Sequence, residues 1–305
     1  MKKFIVITGP TATGKTTVSV SLAKCLDSEV ISADSMQIYK GMDIGTAKVT
    51  NCEKQGVKHH FIDVVNPNEH YSVAVFQRDA FAVIDELNEK RLVPIVAGGT
   101  GLYINSLVYK LDFSKVKANE KVRQKFLDMA DDKSVQYLYN ELEKKDPVYA
   151  GIIAKQDKRR IIRRLEVLEA GGDTDYDFRR HNEDYEIIII GLTMPRDVLY
   201  SRVNERVDTM VDAGLLQEVK TQYETYGMTT ALKAIGYKEI IGHLNGEYDL
   251  GEAVRLVKRN SRRLAKRQLT WFKKDERIKW FDVIGKKSIE DTTNDILNYM
   301  KEKGF

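Results

Sequence analysis

Eight residues constrain the fold of this chain more than any others: Gly9-Pro10-Thr11-Ala12-Thr13-Gly14-Lys15-Thr16. They match GxxxxGK[ST], a loop whose glycines let backbone N–H groups turn inward around phosphate oxygens. The motif works only between a strand and a helix, because the helix start adds its positive dipole end to the anion site. Both flanks are present. Phe4–Thr8 is a short, β-branched run that reads as a buried strand, and Val18, Leu22 and Leu26 then fall four apart on one helical face. A polyphosphate site is therefore expected. Lys15 would neutralise a bridging or terminal phosphate, and the Thr16 hydroxyl would ligate Mg²⁺. The loop does not choose between ATP and another diphosphate ester. The strand candidate Leu92–Ala97 runs into Gly98-Gly99-Thr100 without the acidic residue usual for a second metal contact. On these residues alone, an ATP-dependent kinase of a small molecule or nucleotide stays open.

Further strand candidates are Glu29–Ser32 and Phe61–Val65, and residues 71–90 carry Val75, Phe76, Ala80, Phe81, Ile84 and Leu87 at helical spacing. Strands alternating with helices imply an α/β fold, a P-loop NTPase-like parallel sheet core. From about Asp112 to Asp184 the chain is strongly charged and mostly helical in pattern, with Gly171-Gly172 ending the helix that contains Leu165–Ala170. Ile187–Ile190 then returns as a β-branched run suited to a sheet centre. The expected organisation is a catalytic core, 1–112 and 187–305, ending in basic helices and interrupted by an inserted helical domain, 113–186. With 42% hydrophobic residues in 305, a core needs no staple. Cys25 and Cys52, the two cysteines, form no CxxC, which excludes a disulfide scaffold and a cysteine zinc module. No apolar run approaches the ~18–20 residues of a membrane span, and a cytoplasmic protein is expected.

Asp34 follows the strand Glu29–Ser32, at the end of the sheet where α/β proteins bind ligands. It could accept a proton from a nucleophile, with Ser35 and Gln37 beside it to read a base edge, or it could simply hold a turn. Net charge is only +4, so position matters more than total. Arg255, Lys258, Arg259, Arg262, Arg263, Lys266 and Arg267 recur at three- and four-residue steps, and Lys155, Lys158, Arg159, Arg160, Arg163 and Arg164 form a second cluster. Two basic faces beside a phosphate loop suggest RNA; solvated faces with internal ion pairs are the alternative. Arg202 and Arg206, four apart, could clamp a diphosphate opposite the loop or pair with Asp197, Glu205 or Asp208. His59-His60 lacks zinc-ligand spacing and reads as structural. Tyr103, Tyr237 and Trp271 could stack on bases or belong to the core.

Taken together, residues 9–16, the run Ile-Ser-Ala-Asp-Ser-Met-Gln-Ile-Tyr-Lys-Gly-Met-Asp-Ile-Gly-Thr-Ala-Lys (31–48), His-His-Phe-Ile-Asp (59–63), Gly-Gly-Thr-Gly-Leu-Tyr (98–103), Ala-Ile-Gly-Tyr-Lys-Glu (234–239) and Ala-Lys-Arg-Gln-Leu-Thr-Trp-Phe (265–272) resemble the bacterial tRNA dimethylallyltransferase family over nearly the full length. The resemblance implies transfer of a dimethylallyl group from dimethylallyl diphosphate to the exocyclic N6 amine of the adenosine 3′-adjacent to the anticodon. It makes Asp34 the general base, with Lys15 and Thr100 completing the catalytic group. Gly9, Thr11, Ala12, Thr13, Gly14, Lys15, Thr16, Arg202 and Arg206 would hold the diphosphate, with Mg²⁺ at Thr16. Ser35, Met36 and Gln37 would contact the flipped adenine beside Asp34. Thr100, Arg123, Arg159, Arg160, Arg163, Lys233, Gly236, Tyr237, Lys238, Lys266, Arg267, Gln268, Trp271 and Lys273 match tRNA-contacting positions. The implied partners are the tRNA anticodon stem-loop and dimethylallyl diphosphate, with no membrane and no obligate protein partner. Lys233 and Lys238 stand where some relatives have arginine, which keeps charge but loses bidentate geometry. Gly171–Phe178 also departs from the family pattern.

Overall fold

Phe4, Ile5, Val6 and Ile7 are wholly buried, as an uninterrupted apolar strand must be when helices cover both faces of its sheet. In this computed structural model, which describes residues 1–111, 113, 119–172, 179–284 and 288–305, they form the middle of β1 (Lys2–Thr8). The chain then alternates through α1 (Lys15–Cys25), β2 (Val30–Ser32), α2 (Asn51–Lys54), β3 (His59–His60), α3 (Val73–Glu89), β4 (Ile95–Ala97) and α4 (Gly101–Val108). An insertion supplies α5 (Glu120–Lys133), α6 (Val135–Lys145), α7 (Pro147–Ile152) and α8 (Lys158–Glu169). The sheet resumes with β5 (Tyr185–Thr193), followed by α9 (Arg196–Asp212), α10 (Leu215–Tyr226), α11 (Tyr237–Leu244), α12 (Leu250–Phe272), β6 (Lys279–Asp282) and α13 (Ile289–Glu302).

The six strands lie in the order β3-β2-β4-β1-β5-β6, with every neighbouring pair parallel. Ile5 stands opposite Ile95 on one side and Ile188 on the other. Ile7 and Ser32 both stand opposite Ala97, so β1, β2 and β4 end level with one another. The loops that leave them, 9–14, 33–37 and 98–100, therefore emerge together at the carboxyl edge. Ile5, Ile7 and Ile190 pack with Val18 and Leu22 of α1 and Ile296 and Met300 of α13. Phe4 and Val6, alternating with them, belong to the opposite face.

The third strand is β3, His59–His60, rather than Phe61–Val65. Phe61 (φ 62°) and Asp63 (φ 57°) are left-handed, because buried Lys48 draws the Asp63 carboxylate to 2.6 Å from its Nζ. The chain turns where its apolar pattern suggests extension, and Val65 keeps a single bridge to Tyr39.

The chain divides into one unit of Met1–Val108 with Asn182–Phe305 and a second of Tyr109–His181. The insertion thus begins and ends a few residues before the charge-defined limits 113 and 186, and Tyr185 and Glu186 already belong to β5. The inserted unit has its own core of Phe126, Leu138, Leu142, Ile161 and Leu165, and Arg164 pairs with Asp146 inside it. Its two ends are zipped together: Tyr109 bridges His181, and Lys110 N–H donates to Arg180 O at 2.8 Å. α8 stops at Glu169 and Gly171 (φ 69°) turns the chain. Most of the segment that departs from the family pattern, 173–178, lies outside the described residues.

Candidate active site

The glycine loop wraps the start of α1. Gly14 (φ 80°) caps the helix in a conformation that costs a side-chain-bearing residue, and Ala12 (φ 67°) is left-handed as well. The buried Thr13 hydroxyl donates to Pro10 O at 2.8 Å, fixing the loop from within. The Lys15 ammonium folds over the loop and donates to Gly9 O at 3.1 Å and Pro10 O at 2.8 Å. Burial lowers its pKa to about 7, Arg206 adds to the fall, and the nearby Asp34 carboxylate opposes it. A buried ammonium with that pKa lacks a counter-anion, which is what a diphosphate would provide.

Two distant residues reach the same loop. Arg206 on α9 donates from Nη1 to Thr11 Oγ1 at 3.2 Å, and burial lowers its pKa. Gln268 on α12 accepts from Thr11 N–H at 2.8 Å and donates to Gly99 O at 3.0 Å, bridging the loops after β1 and β4. Ala12 packs with Met194, Leu199, Val203 and Ala265, which seats α9 and α12 against the loop.

Asp34 follows β2, holding a turn and facing the cleft. One carboxylate oxygen, Oδ1, accepts from Met36 N–H at 2.9 Å and holds the turn, while the side chain lines the same cleft as Lys15. Thr100 Oγ1 accepts from Ser35 N–H at 3.0 Å and donates to Ser35 Oγ at 3.3 Å, and Thr100 N–H donates to Ala33 O. Thr100 therefore fixes the Asp34 turn as well as lining the cleft. Gln37 donates from Nε2 to Thr46 O at 3.4 Å and Ala47 O at 3.2 Å.

The cleft bounded by these groups encloses about 1000 Å³. Val203, Val207 and Met210 of α9 and Val257 and Leu264 of α12 give it an apolar wall. Thr11, Ala12, Gly14, Lys15, Thr16, Ser35, Met36, Gln37, Thr100, Gly236, Arg267, Gln268 and Trp271 line it too.

Other expected residues stand elsewhere. Arg202 is exposed one turn before Arg206 and does not line the cleft. Equal faces four residues apart lie at different levels along a helix, and only the Arg206 level matches Thr11. Tyr237 is wholly buried, with its hydroxyl donating to Glu218 at 2.5 Å, so its ring is not available to a base. Tyr103 is buried as well and stacks on Phe76 at 4.1 Å, whereas Trp271 is 39% exposed. His60 pairs with Glu29 at 2.5 Å, a structural contact.

On α12, Arg255 pairs with Glu252 and Lys258 with Asp208, both at 2.6 Å. Arg262 donates to Asn204. Arg263, Lys266, Arg267 and Lys273 are exposed and have no ion pair among the described residues. Arg259 is partly buried, and its Nε has no hydrogen-bond partner there. Lys233 is exposed, and Lys238 lies 3.7 Å from Glu239. In the inserted unit Arg123 and Arg163 both face the buried Glu166 carboxylate, at 3.2 and 3.5 Å, and Arg160 faces Asp157. Arg159 is exposed. Residue type alone did not distinguish Glu218 and Lys48, which anchor the segment that lines the cleft beside Gln37.

No group of three His, Cys, Asp or Glu side chains converges on a metal position among the described residues. A magnesium ion keeps most of its waters and takes one or two protein oxygens plus phosphate oxygens, so the Thr16 hydroxyl at the start of α1 is a fitting donor.

Residues 37–275 match the IPP transferase family. The tRNA dimethylallyltransferase of Carboxydothermus hydrogenoformans is 48% identical, over 97% of this chain and 96% of its own length. That of Clostridioides difficile is 46% identical over 99% of each. Among solved structures, the full-length tRNA isopentenylpyrophosphate transferase of Bacillus halodurans superposes with a TM-score of 0.74 at 44% identity, over 100% of this chain and 98% of that one. A eukaryotic dimethylallyltransferase acting on tRNA superposes with a TM-score of 0.82 at 28% identity, over 99% of this chain and 79% of that one.

Proposed function

The chain belongs to the IPP transferase family, and from that premise we infer how its cleft carries out the family's reaction. The enzyme transfers a dimethylallyl group to tRNA. We read the donor as dimethylallyl diphosphate and the acceptor as the N6 amine of the adenosine 3′-adjacent to the anticodon, in the anticodon stem-loop. The observation that carries this reading is the lining of one cleft: Lys15 and Arg206 for a polyanion, Asp34 for a proton, and Val207 and Met210 for a short apolar chain. A small-molecule kinase is not favoured, since it has no use for the exposed cations of α12.

An adenine amine is a weak nucleophile because its lone pair is delocalised into the ring. As N6 bonds to C1 of the dimethylallyl group, the C1–O bond breaks and the diphosphate leaves with the electron pair. The N6 proton passes to the Asp34 carboxylate, whose turn is fixed by Met36 N–H and Thr100. Lys15, Arg206 and the loop N–H groups meet the charge that grows on the leaving diphosphate. Thr16 would hold Mg²⁺, which supplies further neutralisation of that group when bound. The base must leave its stack, at about a few kcal/mol, and contacts from Arg263, Lys266, Arg267 and Lys273 to phosphates can offset that cost. Arg159 of the inserted unit is a further exposed contact of the same kind.

No described helix is long and apolar enough to cross a membrane, and we assign the enzyme to the cytoplasm with its substrate. The test uses purified protein, Mg²⁺, labelled dimethylallyl diphosphate and unmodified tRNA, with labelled ATP in a parallel reaction. Label next to the anticodon, lost in Asp34→Asn, is the expected result. Phosphate released from ATP with unlabelled tRNA would restore the kinase reading.

A further inference from the structure

Glu218, in the first turn of α10, has no part in the chemistry above, yet its carboxylate gathers four donors. Oε2 accepts from Asp43 N–H at 2.9 Å and Ile44 N–H at 2.7 Å; Oε1 accepts from Gly45 N–H at 2.9 Å and from the Tyr237 hydroxyl at 2.5 Å. The backbone of the segment thus curls around one anion. It is clamped from the other side as well. A Cβ on Gly45 would lie 2.5 Å from the Tyr237 ring, so only glycine lets the two approach. Lys48, its side chain 5% exposed, donates to Tyr39 O at 2.7 Å and to Asp43 and Asp63 at 2.6 Å.

Between these anchors the chain presents Thr46 O and Ala47 O to Gln37 Nε2. With its nitrogen committed there, the Gln37 carboxamide accepts from Ser32 Oγ at 3.4 Å through its oxygen, which has a second lone pair for a further donor. Gln37 and residues 43–47 line the cleft on the Asp34 side.

We propose that Glu218 is a positioning residue for acceptor recognition: it shapes the 43–47 segment so that Gln37 offers a fixed carboxamide to the RNA base. The proposal rests on the reading of Asp34–Gln37 as the acceptor-contacting stretch. A carboxylate is required because all four donors point at it. A glutamine there has one oxygen, and its NH₂ faces backbone N–H groups it cannot bond.

The test is steady-state transfer to tRNA by Glu218→Gln, together with the milder Tyr237→Phe, and calorimetric binding of dimethylallyl diphosphate to each. In Glu218→Gln the KM for tRNA is expected to rise about tenfold, with kcat at saturating tRNA within about twofold and donor Kd unchanged; Tyr237→Phe shifts the same parameter by about threefold. An unchanged KM for tRNA in both variants, whatever happens to melting temperature or active fraction, overturns the proposal, because lost folding alone lowers kcat and leaves KM in place. Wild-type protein that binds donor but labels no tRNA overturns instead the reading on which the proposal rests.

Discussion

Lys15 makes donor binding a proton-linked event. Burial and Arg206 bring its pKa down to about 7 in the free protein, and a bound diphosphate restores the charged form by supplying the anion it lacks. The free-state pKa is then below the bound-state value, so binding takes up a proton above pH 7 and affinity falls as pH rises. The fraction of Lys15 already charged drops from one half at pH 7 to about one in a hundred at pH 9, so donor affinity is expected to fall about fiftyfold, ~2.3 kcal/mol, over that interval. The donor barely obscures this effect, since a phosphate's second ionisation, near pKa ~6, is already about nine-tenths complete at pH 7. Calorimetry with dimethylallyl diphosphate, without tRNA, in two buffers of different ionisation heat at pH 8 should give an uptake of about 0.9 proton per site. Lys15→Arg, which cannot lose its charge in this range, should bind with no such slope. Flat wild-type affinity from pH 7 to 9, with no proton uptake, would refute the desolvation argument.

Three further expectations are independent of that titration. Asp34→Asn keeps the oxygen that caps Met36 N–H, so tRNA affinity should hold while single-turnover transfer falls by ~10²–10⁴; full activity would remove Asp34 as the base. Replacing Arg263 and Lys266, both exposed, with Ala should make the slope of log K against log salt for tRNA shallower by about 1.5, whereas Arg255→Ala, whose partner is Glu252, should leave it unchanged. Equal slopes in both variants would return α12 to the role of a solvated face. Gln268→Ala severs the bridge from Thr11 N–H to Gly99 O and should lower unfolding stability in urea by about 1–2 kcal/mol; a loss below about 0.3 kcal/mol would show that the bridge carries no stability.

The phosphate loop was legible because the whole device is local: glycines, lysine and threonine lie within eight residues, between a buried strand and a helix. Asp34 was legible for a related reason, since the end of a parallel strand fixes where its next residue goes. What failed needed information from far along the chain. Phe61–Val65 looked like a strand until the Lys48–Asp63 contact bent it, a tertiary interaction overriding local propensity. Tyr237 in the Ala-Ile-Gly-Tyr-Lys-Glu run looks the same in sequence whether its ring faces RNA or Gly45, and only the packing shows the latter. Spacing put Arg202 and Arg206 on one face but could not say which level of α9 meets the loop. β6, a short edge strand of Lys-Trp-Phe-Asp, carries too little pattern to be recognised.

Asn182 N–H donates to Val108 O at 3.1 Å, and the Asn182 carboxamide donates to Leu107 O at 2.9 Å. To the sheet, everything from Tyr109 to His181 is therefore a hairpin loop already closed at its base. Closure entropy grows by only about 0.6 kcal/mol for each doubling of loop length, so the register of β1 on β5 is nearly blind to how much chain hangs there. The insertion is a cassette. Another folded body with adjacent ends could be spliced at the same seam, and the gene could lengthen, trim or replace it while the phosphate loop and Asp34 kept their scaffold.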